Sequence, residues 1–247
     1  MKGILTKIFK TSPHDCLNYI RSLAKKPEGE KDHQQLFDRY FASSSSPKLQ
    51  IGCGYNLAEG WLNTDLTPSA EEVAKLDAGD EFPFSDNSFD FIYSEHILEH
   101  LHFEASCNMI SECFRVLKPG GAIRIAIPHA DFLVDIYQKP NEPLHKEYVK
   151  WAMNQFCRDV VRVVQDEEYN EVYIVNNFYR NWSHKMIHNY GSLKQLLEAF
   201  SFTEVEQMEV SESGFKEFKR MERHGEIIPE KFNKLETLVV EARKPKV

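Results

Sequence analysis

Lys48-Leu49-Gln50-Ile51-Gly52-Cys53-Gly54-Tyr55-Asn56-Leu57-Ala58-Glu59-Gly60-Trp61-Leu62-Asn63-Thr64-Asp65-Leu66 is the stretch that decides the fold. A short apolar strand, Leu49 and Ile51, runs into Gly52-Cys53-Gly54, where missing Cβ atoms let a ligand lie directly against the backbone. A second strand then ends on an acid, Asp65. In open α/β sheets, such a glycine turn and such an acid grip a nucleoside, the carboxylate taking two ribose hydroxyls.

The spacing narrows the ligand. A dinucleotide fingerprint wants a third glycine where this chain has Leu57, and an acid about 20 residues on. Here the acid comes 13 positions after Gly52, which leaves room for one helical turn at most. A pyrophosphate would lose its seat on a helix N-terminus, so a nicotinamide-dependent oxidoreductase is disfavoured. A ligand with ribose and no phosphate fits better, and S-adenosylmethionine is such a ligand.

The next residues continue the pattern. Val73 to Asp77 reads as a third strand ending on an acid, followed by Phe82-Pro83-Phe84-Ser85-Asp86-Asn87-Ser88-Phe89-Asp90. Phe91-Ile92-Tyr93 reads as a fourth strand, then come Ser94-Glu95-His96-Ile97-Leu98-Glu99-His100-Leu101 and a helix through Leu117. Lys118-Pro119-Gly120-Gly121 ends that helix before a fifth strand, Ala122 to Pro128.

These blocks, in this order, resemble class I S-adenosylmethionine-dependent methyltransferases, in particular the small bacterial type 11-like group. The resemblance covers roughly 48 to 128 and resumes from about His184 to Lys244. It implies a Rossmann-like α/β fold: a seven-stranded, mostly parallel sheet with helices on both faces, N-terminal helices, and a helical insertion after the fifth strand. The cofactor implied is S-adenosylmethionine, with S-adenosylhomocysteine as product. Gly52, Cys53 and Gly54 border its methionine and ribose, Asp65 with Leu66 takes the ribose, and Asp77 with Ala78 lies by the adenine. Ser94, Glu95 and His96 lie closest to the methyl-bearing sulfonium. One departure is Gln50, where most class I enzymes carry an acid.

Composition bounds the setting. The 247 residues carry a net charge of −8, and a pI near 5.7 argues against a broad nucleic-acid footprint. No apolar run is long enough for a membrane span, and Met1 to Lys7 is too short for a secretory segment. Five scattered cysteines, without a Cys-x-x-Cys pair, read as reduced thiols in a cytoplasmic protein. A homodimer stays open.

The expected organisation is an N-terminal helical extension over 1–46, with Leu17, Ile20 and Leu23 near helical spacing, and a methyltransferase domain over 47–247. Within it, about 129–190 forms a cap rich in aromatics: Phe132, Tyr137, Tyr148, Trp151, Phe156, Tyr169, Tyr173, Phe178, Tyr179 and Trp182. Its inner face is expected to line the pocket. A helix over Ser192 to Phe200 and strands over Thr203 to Val210 and Leu235 to Ala242 close the chain.

Methyl transfer is an in-line displacement, so positioning and a dry pocket supply much of the catalysis. A hydroxyl acceptor also benefits from a general base, usually histidine. The candidates are His129, after the fifth strand, and His184, with His96 lining the pocket and His188 ranked lower. Each competes with a histidine that merely caps a helix or bridges cap and core. His96-Ile97-Leu98-Glu99-His100 also spells an inverted zinc-protease motif, but that motif needs one long helix and a third ligand downstream, so no metal is expected. No Asn/Asp-Pro-Pro-Tyr follows the fourth strand, which disfavours methylation of adenine or glutamine amides. The expected activity is O-methylation of a small molecule or a surface-glycan sugar. N- or carboxyl-methylation, or cofactor binding without catalysis, are the alternatives.

Overall fold

The computed structural model describes residues 33–165 and 169–246. The expected helix around Leu17, Ile20 and Leu23 lies outside them. Among the described residues seven strands form one sheet: β1 Lys48–Ile51, β2 Leu62–Asp65, β3 Ala74–Lys75, β4 Phe89–Glu95, β5 Leu117–Pro128, β6 Thr203–Met208 and β7 Thr237–Arg243. Their order is β3-β2-β1-β4-β5-β7-β6. β7 runs antiparallel between β5 and β6, and the other pairings are parallel. The order reverses between β1 and β4, which opens a crevice beyond the carboxyl ends of those strands.

The helices are α1 Gln34–Ser43, α2 Phe103–Val116, α3 Ala130–Gln138, α4 Pro143–Phe156, α5 Arg158–Val161, α6 Glu171–Arg180, α7 Tyr190–Ala199 and α8 Glu230–Glu236. Alternation along the strands assigns the two sheet faces. Leu49, Ile51, Ile92, Ile123, Ile125, Ile127, Leu238 and Val240 point to one face. They form the main core with Met109, Ile110 and Cys113 of α2, and Leu193, Leu196 and Leu197 of α7. α1 joins this core through Phe37, whose ring meets Phe84 edge-on at 5.0 Å. Tyr40 ties it to β1, accepting from Lys48 N and donating to Lys48 O.

The other face carries small and polar residues, among them Tyr93, Ala122, Arg124 and Glu241. Among the described residues the loop between β6 and α8 covers it, with Phe215 and Phe218 against Phe91, Tyr93 and Trp61. Arg124 is fully buried there and pairs with Glu222 and Glu241.

Two motif blocks turn out to brace one another. Arg115 of Arg-Val-Leu-Lys-Pro-Gly-Gly donates to the carbonyls of Phe82 and Phe84 and to Asp86. Glu112 holds both Arg115 and the Phe82 amide. Gly121 is there for close approach, since a Cβ would meet the Asp90 and Lys118 carbonyls at 2.9 Å.

The insertion after β5 is helical. α3, α4 and α6 share a second core in which Phe132, Tyr148, Phe178 and Phe232 interlock. Several boundaries differ from expectation: β4 spans Phe89–Glu95 rather than Phe91 to Tyr93, β5 begins at Leu117 rather than Ala122, so that Lys118 to Gly121 lies within the strand, and β6 ends at Met208 rather than Val210. The third strand keeps only Ala74 and Lys75, and Leu235 belongs to α8, which runs without a break into β7.

Candidate active site

A cleft of about 440 Å³ opens at the carboxyl ends of β1, β4 and β5. Gly52 and Cys53 after β1, Glu95 and His96 around the end of β4, and Pro128 closing β5 line it. β7 runs the other way, with Thr237 in register with Pro128, so Glu236 reaches the same end. The cap supplies Phe156, Phe178, Trp182 and His184. Of the ten aromatics named for the cap, Phe156, Phe178 and Trp182 line the cleft, while Phe132 and Tyr148 fill the cap core instead.

The glycine loop is braced by amides. Gln50 is buried; its Nε2 donates to Asn56 O and its Oε1 accepts from Ala58 N. Asn63 accepts from the same Ala58 amide and donates to Ala58 O and Trp61 O. A carboxylate at position 50 would face the Asn56 carbonyl without a proton to give, which explains why this chain departs from an acid there.

Gly52 and Gly54 both take left-handed backbone, φ +69° and +53°. Their surroundings differ. A Cβ on Gly52 would lie 1.9 Å from Ile97 Cδ1, whereas one on Gly54 would meet nothing within 4 Å. The space over Gly52 is thus filled by the Ile97 side chain. The Cys53 thiol is pushed up to about 11 by burial and by the charge of Asp65, so it stays protonated at neutral pH.

Asp65 ends β2 and lies beside the glycines. Its Oδ2 accepts from Gly54 N at 2.9 Å and its Oδ1 from Thr67 N at 2.8 Å. Leu66 is exposed. Asp77 caps its own turn by accepting from Gly79 N, and the neighbouring Ala78 is buried. Asp65, Leu66, Asp77 and Ala78 stand outside the residues that line the cleft.

Beyond β4 the backbone is strained. His96 has φ +53°, and on the facing cap loop Trp182 and Ser183 have φ +54° and +62°. Non-glycine residues in this region cost about 1–3 kcal/mol each and cluster at functional sites. Ser94 is buried, and its hydroxyl makes no hydrogen bond among the described residues. Glu95 accepts from the backbone N–H groups of Arg223 and His224, all at 3.0 Å. His96 Nδ1 meets Glu99 Oε1 at 2.9 Å, while its Nε2 has no hydrogen-bond partner among the described residues. Burial alone would lower His96, but the Glu99 bond and the charges of Glu99, Glu95 and Glu236 raise it overall.

Four imidazoles face this cleft: His96, His100, His184 and His224. The His96 and His224 rings lie 4.3 Å apart, and those of His100 and His184 4.9 Å apart. His224 Nε2 meets Glu236 Oε1 at 3.0 Å, and Tyr148 donates its hydroxyl to Glu236 Oε2. Glu236 and Tyr148 are both buried. Sequence reasoning missed His224 and Glu236, because Arg220 to Glu226 matches no motif. The available signal was topological: a residue just before an antiparallel closing strand falls at the carboxyl ends of its neighbours.

The other histidines have plainer surroundings. His129 does not line the cleft; its Nε2 lies 3.5 Å from Asp131, and burial lowers it below the ordinary histidine range. His188 is 1 % exposed and bonds Ser192 Oγ. His184 lines the cleft, with Nδ1 2.6 Å from the Phe178 carbonyl and its affinity for a proton lowered by burial.

The sheet order, the glycine turn and the crevice define a class I methyltransferase-type fold. Residues 49–125 match the family model described as a methyltransferase domain. A probable S-adenosylmethionine-dependent methyltransferase of Mycolicibacterium smegmatis is 35% identical over 148 residues, 51% of this chain and 55% of that protein. Methyltransferase GfsG of Streptomyces halstedii is 28% identical over 122 residues, 40% of this chain and 43% of that one. A crystal structure of a methyltransferase from Archaeoglobus fulgidus aligns over 98% of this chain and 99% of that one, at 16% identity and TM-score 0.46. The chain spans about half the length of the curated relatives it matches. Among the described residues no helix is long and apolar enough to cross a membrane.

Proposed function

We propose that this chain transfers a methyl group from S-adenosylmethionine to a hydroxyl oxygen of a small molecule or a glycan sugar. The observation that carries the reading is the His224–Glu236 pair on the wall of the cleft that Gly52 and Cys53 also line. Glu236 holds one ring nitrogen of His224 and orients the imidazole, as a carboxylate does for a histidine base. Tyr148 keeps the second oxygen of Glu236 occupied.

The residues present fit the cofactor. The buried hydroxyl of Ser94 is without a partner among the described residues, the backbone at Gly54 is open, and Asp65 lies within a hydrogen bond of that glycine. When bound, the cofactor supplies a methyl group on a sulfonium, a good leaving group. Gly52 to Gly54, Asp65, Ser94 and Glu95 would hold it. Asp65 already spends one oxygen on Gly54 and one on Thr67, so a ribose would share those oxygens through their remaining lone pairs. Phe156, Phe178 and Trp182 exclude water from the acceptor side, and His224 takes the acceptor's proton as the new C–O bond forms. The reading thus replaces His129 by His224 as the base and leaves His96 and His184 as wall residues. The described cysteines 53, 113 and 157 are free thiols, which supports a reducing, cytoplasmic setting.

The test is a comparison of wild type with His224→Gln on a panel of hydroxylated acceptors, alongside titration with S-adenosylhomocysteine. Turnover should fall by about 10²-fold or more in the variant, with S-adenosylhomocysteine affinity kept. Equal turnover in both proteins would remove His224 as the base. Failure of the wild type to bind S-adenosylhomocysteine would remove the reading itself.

A further inference from the structure

A second cluster, two of whose three residues line the same cleft, is not used by methyl transfer to a hydroxyl. Glu99, His100 and His184 each present one donor atom, and these atoms lie within 4.8 Å of one another. The Glu99 side chain is fully buried; its Oε1 meets His96 Nδ1 at 2.9 Å and lies 3.9 Å from His100 Nε2, while Oε2 makes no hydrogen bond among the described residues. A buried carboxylate oxygen with nothing to accept is costly unless a cation or a donor completes it.

The fold builds this cluster from two directions. Glu99 and His100 lie in the 3₁₀ turn Leu98–His100 after β4. The cap loop is hooked onto that turn, since Lys185 N donates to Glu99 O at 2.7 Å and Met186 N to the same oxygen at 3.2 Å. That pair of bonds delivers His184 to His100. His184 points Nδ1 at the Phe178 carbonyl, so Nδ1 carries the proton and Nε2 keeps its lone pair. Second-partner bonds of this kind, imidazole to carbonyl and carboxylate to imidazole, are what metal-ligating residues use to fix their orientation.

We propose that Glu99, His100 and His184 form a binding site for a divalent transition-metal ion such as Zn²⁺ or Co²⁺. Two imidazoles and one carboxylate suit ions of this class, and a three-ligand site leaves coordination positions open. His100 and His184 line the cleft, so the open positions face it. Donors at about 2.0–2.2 Å from one ion lie about 3 Å apart, so loading draws the three side chains together by roughly an ångström or more. Resting on the methyl-transfer reading, the ion's role is that of a Lewis acid that binds and orients an acceptor oxygen near His224. The inverted zinc-protease motif is not the basis: His96 contacts Glu99, not the ion, and His184 comes from the cap.

The experiment is titration of chelator-stripped protein with Co²⁺, followed by calorimetry and by the visible absorption of bound Co²⁺, and repeated with Zn²⁺. Wild type should bind one equivalent. His184→Ala and His100→Ala should each lower affinity at least tenfold while their thermal unfolding matches wild type. Glu99→Gln should do the same if it folds, and the two histidine variants decide the matter if it does not. Asp135→Asn, in the separate cluster of Asp135, Glu142 and His145, should bind as wild type. No saturable binding, equal binding by His184→Ala, or loss only in Asp135→Asn would overturn the site. The same stripped samples are titrated with S-adenosylhomocysteine. If that binds and metal does not, the metal site falls alone; if metal binds and it does not, the methyl-transfer reading falls alone.

Discussion

Gly52 and Gly54 look equivalent in the chain and are not. Both hold left-handed backbone, which a Cβ disfavours by about 1–2 kcal/mol. Only Gly52 also has Ile97 in the space where its Cβ would go. Gly54→Ala should therefore lower unfolding free energy by about 1 kcal/mol. Gly52→Ala should add a further overpacking cost of about 1–3 kcal/mol. Urea unfolding of both variants checks the order; equal losses would mean that Ile97 moves aside freely. Residue 50 carries the complementary lesson: Gln50 is a loop brace whose amide proton a carboxylate lacks.

The loop between β6 and α8 takes the place of a covering helix, and Arg124 holds it. Arg124 donates to Glu222 and Glu241 and to the carbonyls of Glu212 and Glu209. Glu222 in turn accepts from Ser211 N. The next residues, Arg223 and His224, are fastened to Glu95 by their backbone amides. Arg124 is thus a positioning residue for His224, acting through the loop. Arg124→Met strands two buried carboxylates and should cost about 3–5 kcal/mol. Replacing Glu222 and Glu241 by Leu in that background should recover much of the loss, because the charges leave together. Chemical denaturation of the single and triple variants tests this, and failure of the triple to recover would locate the cost in lost loop contacts instead.

At the scale of the whole molecule, the cap and sheet meet around buried neutral histidines, and pH acts through them. Burial lowers His129 below its ordinary value of 6.5, with Asp131, the charged group facing it, partly opposing. Its unfolded form therefore holds more protons as pH falls through that range. Stability from this residue is complete above about pH 6.5 and is lost progressively below it. The thermal midpoint should drop between about pH 7.5 and about pH 5.5, and by less in His129→Gln. An identical drop in both proteins would assign the pH dependence to other groups.

The chain by itself determined the frame: a Gly-x-Gly turn, an acid thirteen positions on, and ordered blocks at 82–90, 94–101 and 115–121. These are legible because each is a local backbone requirement or a clamp within one stretch, as Arg115 shows in holding Phe82, Phe84 and Asp86. The set of histidines that share the cleft was not legible. His96, His100, His184 and His224 come from three separate segments of the chain. Only the reversed direction of β7, the Glu95 bonds to Arg223 and His224, and the Glu99 bonds to Lys185 and Met186 bring them together. Those are long-range backbone contacts, and no side-chain pattern announces which carbonyl or carboxylate a distant amide will find.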